Sequence, residues 1–555
     1  MKKVAFWIIA SLALITYLLS SFSDPGAKIV QSFQQACQEV IAAREMENKS
    51  YASAFKLYKS AIAKLDNIIV KYSSSEIAIN LFRNQLTIGP YPFLEFKEDI
   101  IPRAKLRAEA ENNPLDCSFY AVNLLDTIQF DDKLKLMKAA KLADISTRFS
   151  KNWQFRKAAL VLTEGKAIVK TISSDSFKVG ALAEMAQILG TAGKKGEAIE
   201  LLSQAKTIAN TMPHSELPEV LLKIISAYCI IEEFDSAEGL ITHKSLIHDE
   251  SWSIVSQSYA RKGKLRTALK TAENIKDDNL QAKTLRVIIP QIAATGRFER
   301  AAKLVSKINP LDTVLKVKAL ADIAFHAGKE GKRDLAVSYF EKAIKTANQF
   351  ESYELAQKLS VLNYIAFRFI ELQDNKNAVQ ILESNSALAK TMPEFNRAEA
   401  FAEIAVAYGQ TGGFKKALEL VTFYIPDYLT IDIRAGTLAR LALQYAGNRQ
   451  YQKAIELAHR IDDDTTALEV NRASVLSKIA VLSASAGDHQ TALEIAKEIN
   501  SPFYRPWTFG EIALQLPNQR FYFRKKPNII QYLHQIITEL NPNINLDPVS
   551  LTVIE

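Results

Sequence analysis

Cysteine and histidine are scarce in this chain of 555 residues, with three and seven respectively, which narrows the redox and metal chemistry open to it. Cys37, Cys117 and Cys229 are far apart and odd in number, so a disulfide framework and a C-x-x-C metal site are excluded. Small buried thiols on helices are the simple reading, with one opportunistic Cys37/Cys117 pair as the alternative. No H-E-x-x-H, G-x-S-x-G or dinucleotide fingerprint occurs, and Gly190 to Lys195 lacks the spacing and the Ser/Thr of a phosphate-binding loop. His243 and His248 with Asp249 and Glu250 match no standard metal spacing. Asp462-Asp463-Asp464 lacks the glycine and later glutamate of a calcium loop, which leaves helix capping. The sequence therefore calls for no cofactor and no metal, and it reads as a non-enzyme. A remote alternative is an irregular active site within residues 73–133, which a buried carboxylate or histidine in a cleft would favour.

Charge of one sign is also missing from most of the chain. The net +8 is concentrated early: residues 1–173 carry 24 Lys/Arg against 17 Asp/Glu, leaving 45 and 44 for the rest. A nucleic-acid-binding array needs a basic stripe along its length, so this balance argues against nucleic acid as a partner. Long apolar runs are absent too, save one. Lys2-Lys3 precedes the uncharged stretch Val4 to Leu19, and small residues follow up to Ser23. Residues 1–23 fit a signal peptide cleaved after Ser23, or a retained anchor, since Val4 to Phe22 would reach about 28 Å as a helix. Trp7 and Tyr17 at opposite interfaces favour the anchor. Either way residues 24–555 are expected on the extracytoplasmic, periplasmic-type side.

What the chain has in abundance is a recurring spacing. A large aliphatic residue stands eight positions before a tight turn, and an alanine stands five after it. Copies lie at Met185/Gly193/Ala198, Val255/Gly263/Ala268, Ile288/Gly296/Ala301, Ile323/Gly331/Ala336, Ile404/Gly412/Ala417 and Ile479/Gly487/Ala492. Four more replace the turn glycine, at Ile145/Trp153/Ala158, Ile224/Glu232/Ala237, Ile365/Gln373/Ala378 and Leu441/Arg449/Ala454. Within one unit, Phe401, Ile404, Ala405 and Tyr408 share a helical face, Gly412-Gly413 ends that helix, and Ala417, Leu420 and Val421 begin a second. Each unit buries its apolar face only by stacking on its neighbours.

The order of large, aliphatic-small, aromatic, glycine and alanine resembles the tetratricopeptide repeat (TPR) family. The resemblance covers about residues 134–525, with an isolated copy at Ile41, Ala42, Tyr51, Ala54, Tyr58 and Ala61. It implies an all-α fold, a right-handed α-solenoid of helix-turn-helix repeats. The second helix departs from the family, with Ile275, Ile308, Ile461 and Ile499 where a small residue is expected, and the mean period from Ala158 to Ala492 is about 37 rather than roughly 34. The expected organisation is a signal or anchor at 1–23, an isolated TPR-like hairpin at 24–72, an irregular Pro-containing insertion at 73–133, about ten or eleven repeats at 134–525, and a capping helix with tail at 526–555.

Two candidate binding features follow. The resemblance implies that first-helix positions flanking the aliphatic residue line a concave groove: Phe325, Phe367, Ile370, Val406, Leu443 and Val481, with Ala321, Ala402, Ala439 and Gly409 between them. With charge almost absent there, the groove suits an amphipathic helix or hydrophobic peptide; the competing reading is a superhelix whose first helices fill the groove themselves. The second feature is a basic residue seven positions before the aliphatic one: Lys138, Lys178, Lys316, Lys358, Arg397, Arg434, Arg472 and Arg505. It reads either as a ladder clamping an acidic partner or as inter-repeat pairing with Asp175, Asp312, Asp432 and Asp462 to Asp464. The functional expectation is an exported, membrane-anchored scaffold or adaptor binding protein or peptide partners, with a structural role at an anionic membrane surface as the alternative.

Overall fold

The computed structural model describes residues 24–127, 131–241, 247–309, 312–426, 431–461, 470–516 and 527–540. The signal or anchor segment 1–23, His243, Asp462 to Asp464 and residues 541–555 lie outside them. Among the described residues no helix is long and apolar enough to cross a membrane. The regular structure of the described residues is helical apart from one two-stranded sheet, in which Thr87 pairs with Pro92 and Ile88 with Tyr91 around Gly89-Pro90. The chain divides into two compact units, one of residues 1–127 and 484–555, the other of residues 128–483.

The first unit opens with an antiparallel hairpin of α1 (Asp24–Glu47) and α2 (Tyr51–Lys71), followed by α3 (Glu76–Phe82) and strands β1 (Thr87–Ile88) and β2 (Tyr91–Pro92). A helical run from Phe93 leads into α4 (Ile101–Ala110), and α5 (Pro114–Asn123) comes next. Two prolines of this segment, Pro102 and Pro114, lie in the first turns of helices, while Pro90 sits in the strand turn and Pro92 in β2. Pro114 occupies the first turn of α5 behind Asn113, whose side chain accepts from Leu115 N at 3.1 Å, where a missing N–H has no intrahelical partner to lose.

The second unit is a series of hairpins, α6 (Asp132–Lys151) with α7 (Phe155–Thr171), α8 (Asp175–Thr191) with α9 (Lys195–Ala209), α10 (Leu217–Ile230) with α11 (Phe234–Glu238), and α12 (His248–Arg261) with α13 (Leu265–Ala272). It continues through α14 (Asp278–Ala293) with α15 (Phe298–Val305), α16 (Thr313–Lys329) with α17 (Arg333–Ala347), and α18 (Leu355–Glu371) with α19 (Asn375–Ala389). Then come α20 (Glu394–Gln410) with α21 (Phe414–Tyr424), α22 (Ile431–Gly447) with α23 (Tyr451–Ala458), and the first helix α24 (Arg472–Ser485). From α6 to α22 each first helix packs on the next, and the second helix of each hairpin packs on the first helix that follows.

All ten turn positions read from the spacing have positive φ. The six glycines lie at 75–87°, and Trp153, Glu232, Gln373 and Arg449 adopt 59–64°. That conformation ends each first helix and is open to glycine without steric cost, whereas other residues are strained in it. Stacking between hairpins uses the aromatic position four after the aliphatic residue. Tyr259 lies over Phe234, Phe369 over Phe340 and Tyr445 over Phe414, with centroids 3.8–4.0 Å apart. Hairpins are also tied through backbone: Asp132 accepts from Ser173 N and Ser174 N, and Asp249 from Lys276 N and Asp277 N, at 2.8–3.1 Å. In each case a carboxylate near the start of one first helix satisfies amides just before the next first helix.

Two expectations about the chain ends are corrected. The hairpin at 24–72 is not isolated, and the C-terminal helix does not merely cap the array. The last helices, α25 (His489–Glu498), α26 (Tyr504–Gln515) and α27 (Pro527–Glu539), belong to the first unit. Helix α26 packs on α5, and Gly510 sits where an added Cβ would contact Ala121 and Ser118. On α27, His534 Nδ1 lies 3.1 Å from Glu111 Oε1, and Thr538 Oγ1 lies 3.3 Å from Tyr51 OH. Glu111 also accepts from Ala52 N at 2.7 Å and Ser50 Oγ at 3.2 Å. A buried carboxylate needs such partners, and they come from segments hundreds of residues apart, beyond the reach of local periodicity.

Candidate functional site

The first helices of the second unit carry the residues expected to bind, and their exposures separate those residues. Phe325, Phe367, Leu443 and Val481 are half-buried. Val406 is only 2% exposed, so it belongs to the core. Ile370 packs against the main apolar cluster. An added Cβ at Gly409 would run into Gln444 Oε1 and come within 2.7 Å of Leu441 Cδ2. That glycine lets α20 and α22 approach closely, and Gly190 and Gly328, five positions after their own aliphatic residues, do the same against Ile231 and Leu372. The column five after the aliphatic residue is therefore a packing column rather than groove lining.

Charge lies beside the positions expected to line a groove. Charge sits one position before and three after the aliphatic residue, columns four residues apart and so on one helical stripe. Glu403 on α20 takes a two-pronged contact from Arg440 on α22, at 2.6 and 3.3 Å. Burial pushes the Glu184 carboxyl on α8 up, an effect Lys223 on α10 opposes.

The densest constellation joins three hairpins. Asp322 on α16 is 1% exposed and accepts from Tyr364 OH on α18 at 2.5 Å. Arg368 Nη2 lies 2.5 Å from Asp322 Oδ1, and Arg286 Nη2 on α14 lies 3.5 Å from its Oδ2. Both guanidiniums also donate to Tyr364 OH, at 2.6 and 2.7 Å. Arg286 thus reaches past the intervening hairpin to the one beyond. Lys318 stands 5.6 Å from the Tyr364 ring centroid, and Arg368 lies 5.0 Å from that of Phe325. At the rim Glu371 accepts from Arg368 Nη1 at 2.5 Å and is half exposed.

Burial comes first in setting the electrostatics of this cluster. It lowers the Lys318 pKa, with the Arg286 charge adding to the effect, and it pushes the Tyr364 phenol up to about 12, with Asp322 beside it as the next cause. Burial likewise holds His326 below its ordinary value. Two guanidiniums share the buried carboxylate, one of them also reaching the rim carboxylate, and the Lys318 ammonium lies over the Tyr364 ring, leaving a surplus of positive charge beside half-buried aromatic rings. Such a surface neutralises an acidic side chain and stacks an apolar one. The contributing positions are Arg286, Lys318, Asp322, Tyr364 and Arg368, none of them singled out by the sequence; Asp322, Tyr364 and Arg368 fall in the i−1/i+3 columns, whereas Arg286, two before Ile288, and Lys318, five before Ile323, do not.

The basic residues seven before the aliphatic position have local work. Arg397 donates to Met392 O at 3.0 and 3.2 Å, Arg434 to Ile425 O at 2.8 Å, and Arg472 to Ile461 O at 3.1 Å. Each accepting carbonyl lies just after the preceding second helix, where backbone acceptors lack intrahelical partners and the helix dipole favours a cation. Lys178 pairs with Asp175 at 3.0 Å, and Arg505 with Glu539 at 3.0 Å in the first unit. Lys138 is buried, and Lys316 and Lys358 are half-buried. The geometry is that of inter-repeat tethering, with carbonyls rather than the expected aspartates as the main acceptors.

A second polar cluster lies in the first unit. Tyr58 OH donates to Glu47 Oε1 at 3.1 Å, Arg107 Nη1 stands 3.7 Å from Glu47 Oε2, and Arg107 Nε donates to Tyr120 OH at 3.2 Å. Burial raises the Glu47 carboxyl pKa, opposed by Arg107. The network ties α1, α2, α4 and α5 together. His248, considered above as a metal ligand, instead faces Asp249 Oδ1 at 2.8 Å through Nδ1 and accepts from Trp252 Nε1 at 3.2 Å. Among the described residues no group of three or more His, Cys, Asp or Glu is placed to hold a metal ion. The three cysteines are free thiols, so no Cys37/Cys117 pair forms.

No family model matches the sequence, and no curated protein does. Solved structures similar to the chain include Ton1535 from Thermococcus onnurineus NA1, at 15% identity over 65% of this chain and 95% of that one, with a TM-score of 0.23. A circular tandem repeat protein with novel repeat topology is similar at 10% identity over 92% and 96%, TM-score 0.16. The pentatricopeptide repeat protein PPR10 from maize is similar at 12% identity over 96% and 88%, TM-score 0.22. Likenesses at these TM-scores carry no argument about function. The chain is a helical-repeat protein, built of paired helices joined by positive-φ turns.

Proposed function

We propose that this helical-repeat chain is a binding scaffold or adaptor that works without catalysis or cofactor, holding an acidic segment of a protein partner against the first-helix face of α14, α16 and α18. The observation that carries the reading is the convergence of Arg286 and Arg368 on one buried carboxylate, with Lys318 over the ring of Tyr364 and Arg368 over that of Phe325. Charge-assisted contacts to a partner carboxylate fit this surface better than the wholly apolar ligand expected from sequence. In this proposal residues 1–23 retain the protein in a membrane and residues 24–555 work on the extracytoplasmic side. The +5 excess of residues 24–173, 22 Lys/Arg against 17 Asp/Glu, favours a membrane surface that is anionic.

The test is partner capture from native membrane extract with full-length wild type and with Lys318→Glu/Phe367→Asp, after circular dichroism shows matched melting. Loss of the same specific proteins from the variant supports the scaffold reading. Retention of every captured protein by a folded variant refutes this face as the binding site. Capture of nucleic acid in place of protein refutes the choice of partner.

A further inference from the structure

The first unit exposes a cluster of large apolar side chains at one end of the α1/α2 hairpin. Phe82 is 84% exposed, Val70 77%, Ile79 38% and Tyr72 36%. Helix α3 is amphipathic: Ile77, Ala78 and Leu81 are buried, while Ile79 and Phe82 face outward. Between this helix and the end of α2 lies a shallow cleft of about 430 Å³ lined by Ile69, Ser73, Ala78, Ile79, Phe82 and Arg83. Lone exposed apolar residues are ordinary, but a group of this size on one edge marks a contact surface.

The hairpin register says which end this is. Glu39 on α1 accepts from both Ser60 and Lys64 on α2, at 3.0 and 2.5 Å, and Glu47 meets Tyr58. Continued along the antiparallel pair, this register brings Val70, Lys71 and Tyr72 level with the first turns of α1. Asp24 starts α1 at this end, and the apolar run Val4 to Leu19 precedes it in the sequence. Exposed Lys28, Lys71 and Arg83 flank the apolar cluster, with Glu76 the exposed acid among them.

We infer that this end of the first unit lies on the lipid surface, with Val70, Ile79 and Phe82 entering the interfacial region and Lys28, Lys71 and Arg83 facing anionic headgroups. The inference rests on the reading of residues 1–23 as a retained anchor. On that reading an anchor ending before Asp24 would hold this end of the unit, and the patch on it, close to the interface. An aromatic ring, aliphatic side chains and flanking cations are the composition that interfaces retain.

The experiment uses the full chain carrying Phe82→Cys, labelled with an environment-sensitive fluorophore and reconstituted into phosphatidylcholine–phosphatidylglycerol vesicles. The same label at Phe423→Cys, a position 76% exposed in the second unit, is the reference. Burial raises the pKa of the native thiols of Cys37, Cys117 and Cys229, so the new, exposed thiol reacts first. The expected result is co-flotation with vesicles, a blue-shifted emission at position 82, and quenching by a lipid-borne quencher several-fold stronger than at 423. Flotation with equal quenching at the two positions overturns the inference and leaves the anchor reading intact. A label at 82 already shielded in detergent, and unaltered by lipid, overturns it in favour of another segment of the chain covering the patch. Failure to float overturns both.

Discussion

Removing the carboxylate at the centre of the three-hairpin cluster, by Asp322→Ala, should destabilise the middle of the second unit by about 3–4 kcal/mol. Asp322 is 1% exposed and faces two guanidiniums and a phenol. At an effective dielectric of about 20, one unit pair at ~4 Å gains roughly 4 kcal/mol. Deleting one partner of a buried pair usually costs about 3–5 kcal/mol, because the remaining charges stay buried without compensation. Arg286 and Arg368 retain some solvent, with side chains 22% and 23% exposed, which places the expectation at the lower part of that range. A repeat array need not unfold in one step, so the assay is hydrogen exchange followed peptide by peptide. Protection in α14, α16 and α18 should fall by the full amount while α6 and α7 keep theirs. Combining Asp322→Ala with Arg286→Met and Arg368→Met should recover most of the loss, since no unpaired charge remains. A change below about 1 kcal/mol, or one spread evenly to α6, would refute the reasoning that a buried charge joins these hairpins.

Other expectations follow from individual positions. Gly412→Ala should cost about 1 kcal/mol of stability by thermal denaturation, because its φ is 84° and an added Cβ meets nothing within 4 Å, so the backbone alone is responsible. Arg449→Gly, at φ 59°, should move melting the other way by up to about 1 kcal/mol. Gly409→Ala drives a methyl into Gln444 and Leu441 and should cost about 1–3 kcal/mol, more than Gly412→Ala in the same assay. For pH, the His326 and His489 pKa values lie below the ordinary 6.5, first through burial, so the unfolded chain takes those protons more readily. The stability gained from the neutral rings is complete above that value and falls as pH drops through the depressed folded pKa values. Melting measured between about pH 7.5 and pH 5 should drop for wild type and drop less for His326→Gln/His489→Gln.

How much was legible depends on the range of each interaction. The ten turns were readable because a left-handed turn and the aliphatic and alanine positions around it are set within one hairpin; even Trp153, Glu232, Gln373 and Arg449, which are not glycine, could be placed by spacing. The basic ladder was readable as a pattern but not as a contact, since the acceptors for Arg397, Arg434 and Arg472 are backbone carbonyls, which every residue carries. Which of the flanking first-helix columns pack between hairpins was not legible, because the columns look alike in sequence. Val406 and Gly409 are packed between neighbouring hairpins, whereas the column holding Asp322 and Tyr364 meets across them.

The sequence by itself determined the hairpin, because helix periodicity, aromatic spacing and positive-φ turns are local properties that 20 to 50 residues can specify. Tertiary structure alone decided which charges meet and which chain segments share a unit. Arg286 finds Tyr364 across 78 residues, and His534 finds Glu111 across 423. Neither pair has a local signature: Arg286 and Tyr364 meet through the rotation and spacing of successive hairpins, and His534 and Glu111 through the packing of the first unit's terminal segments on one another.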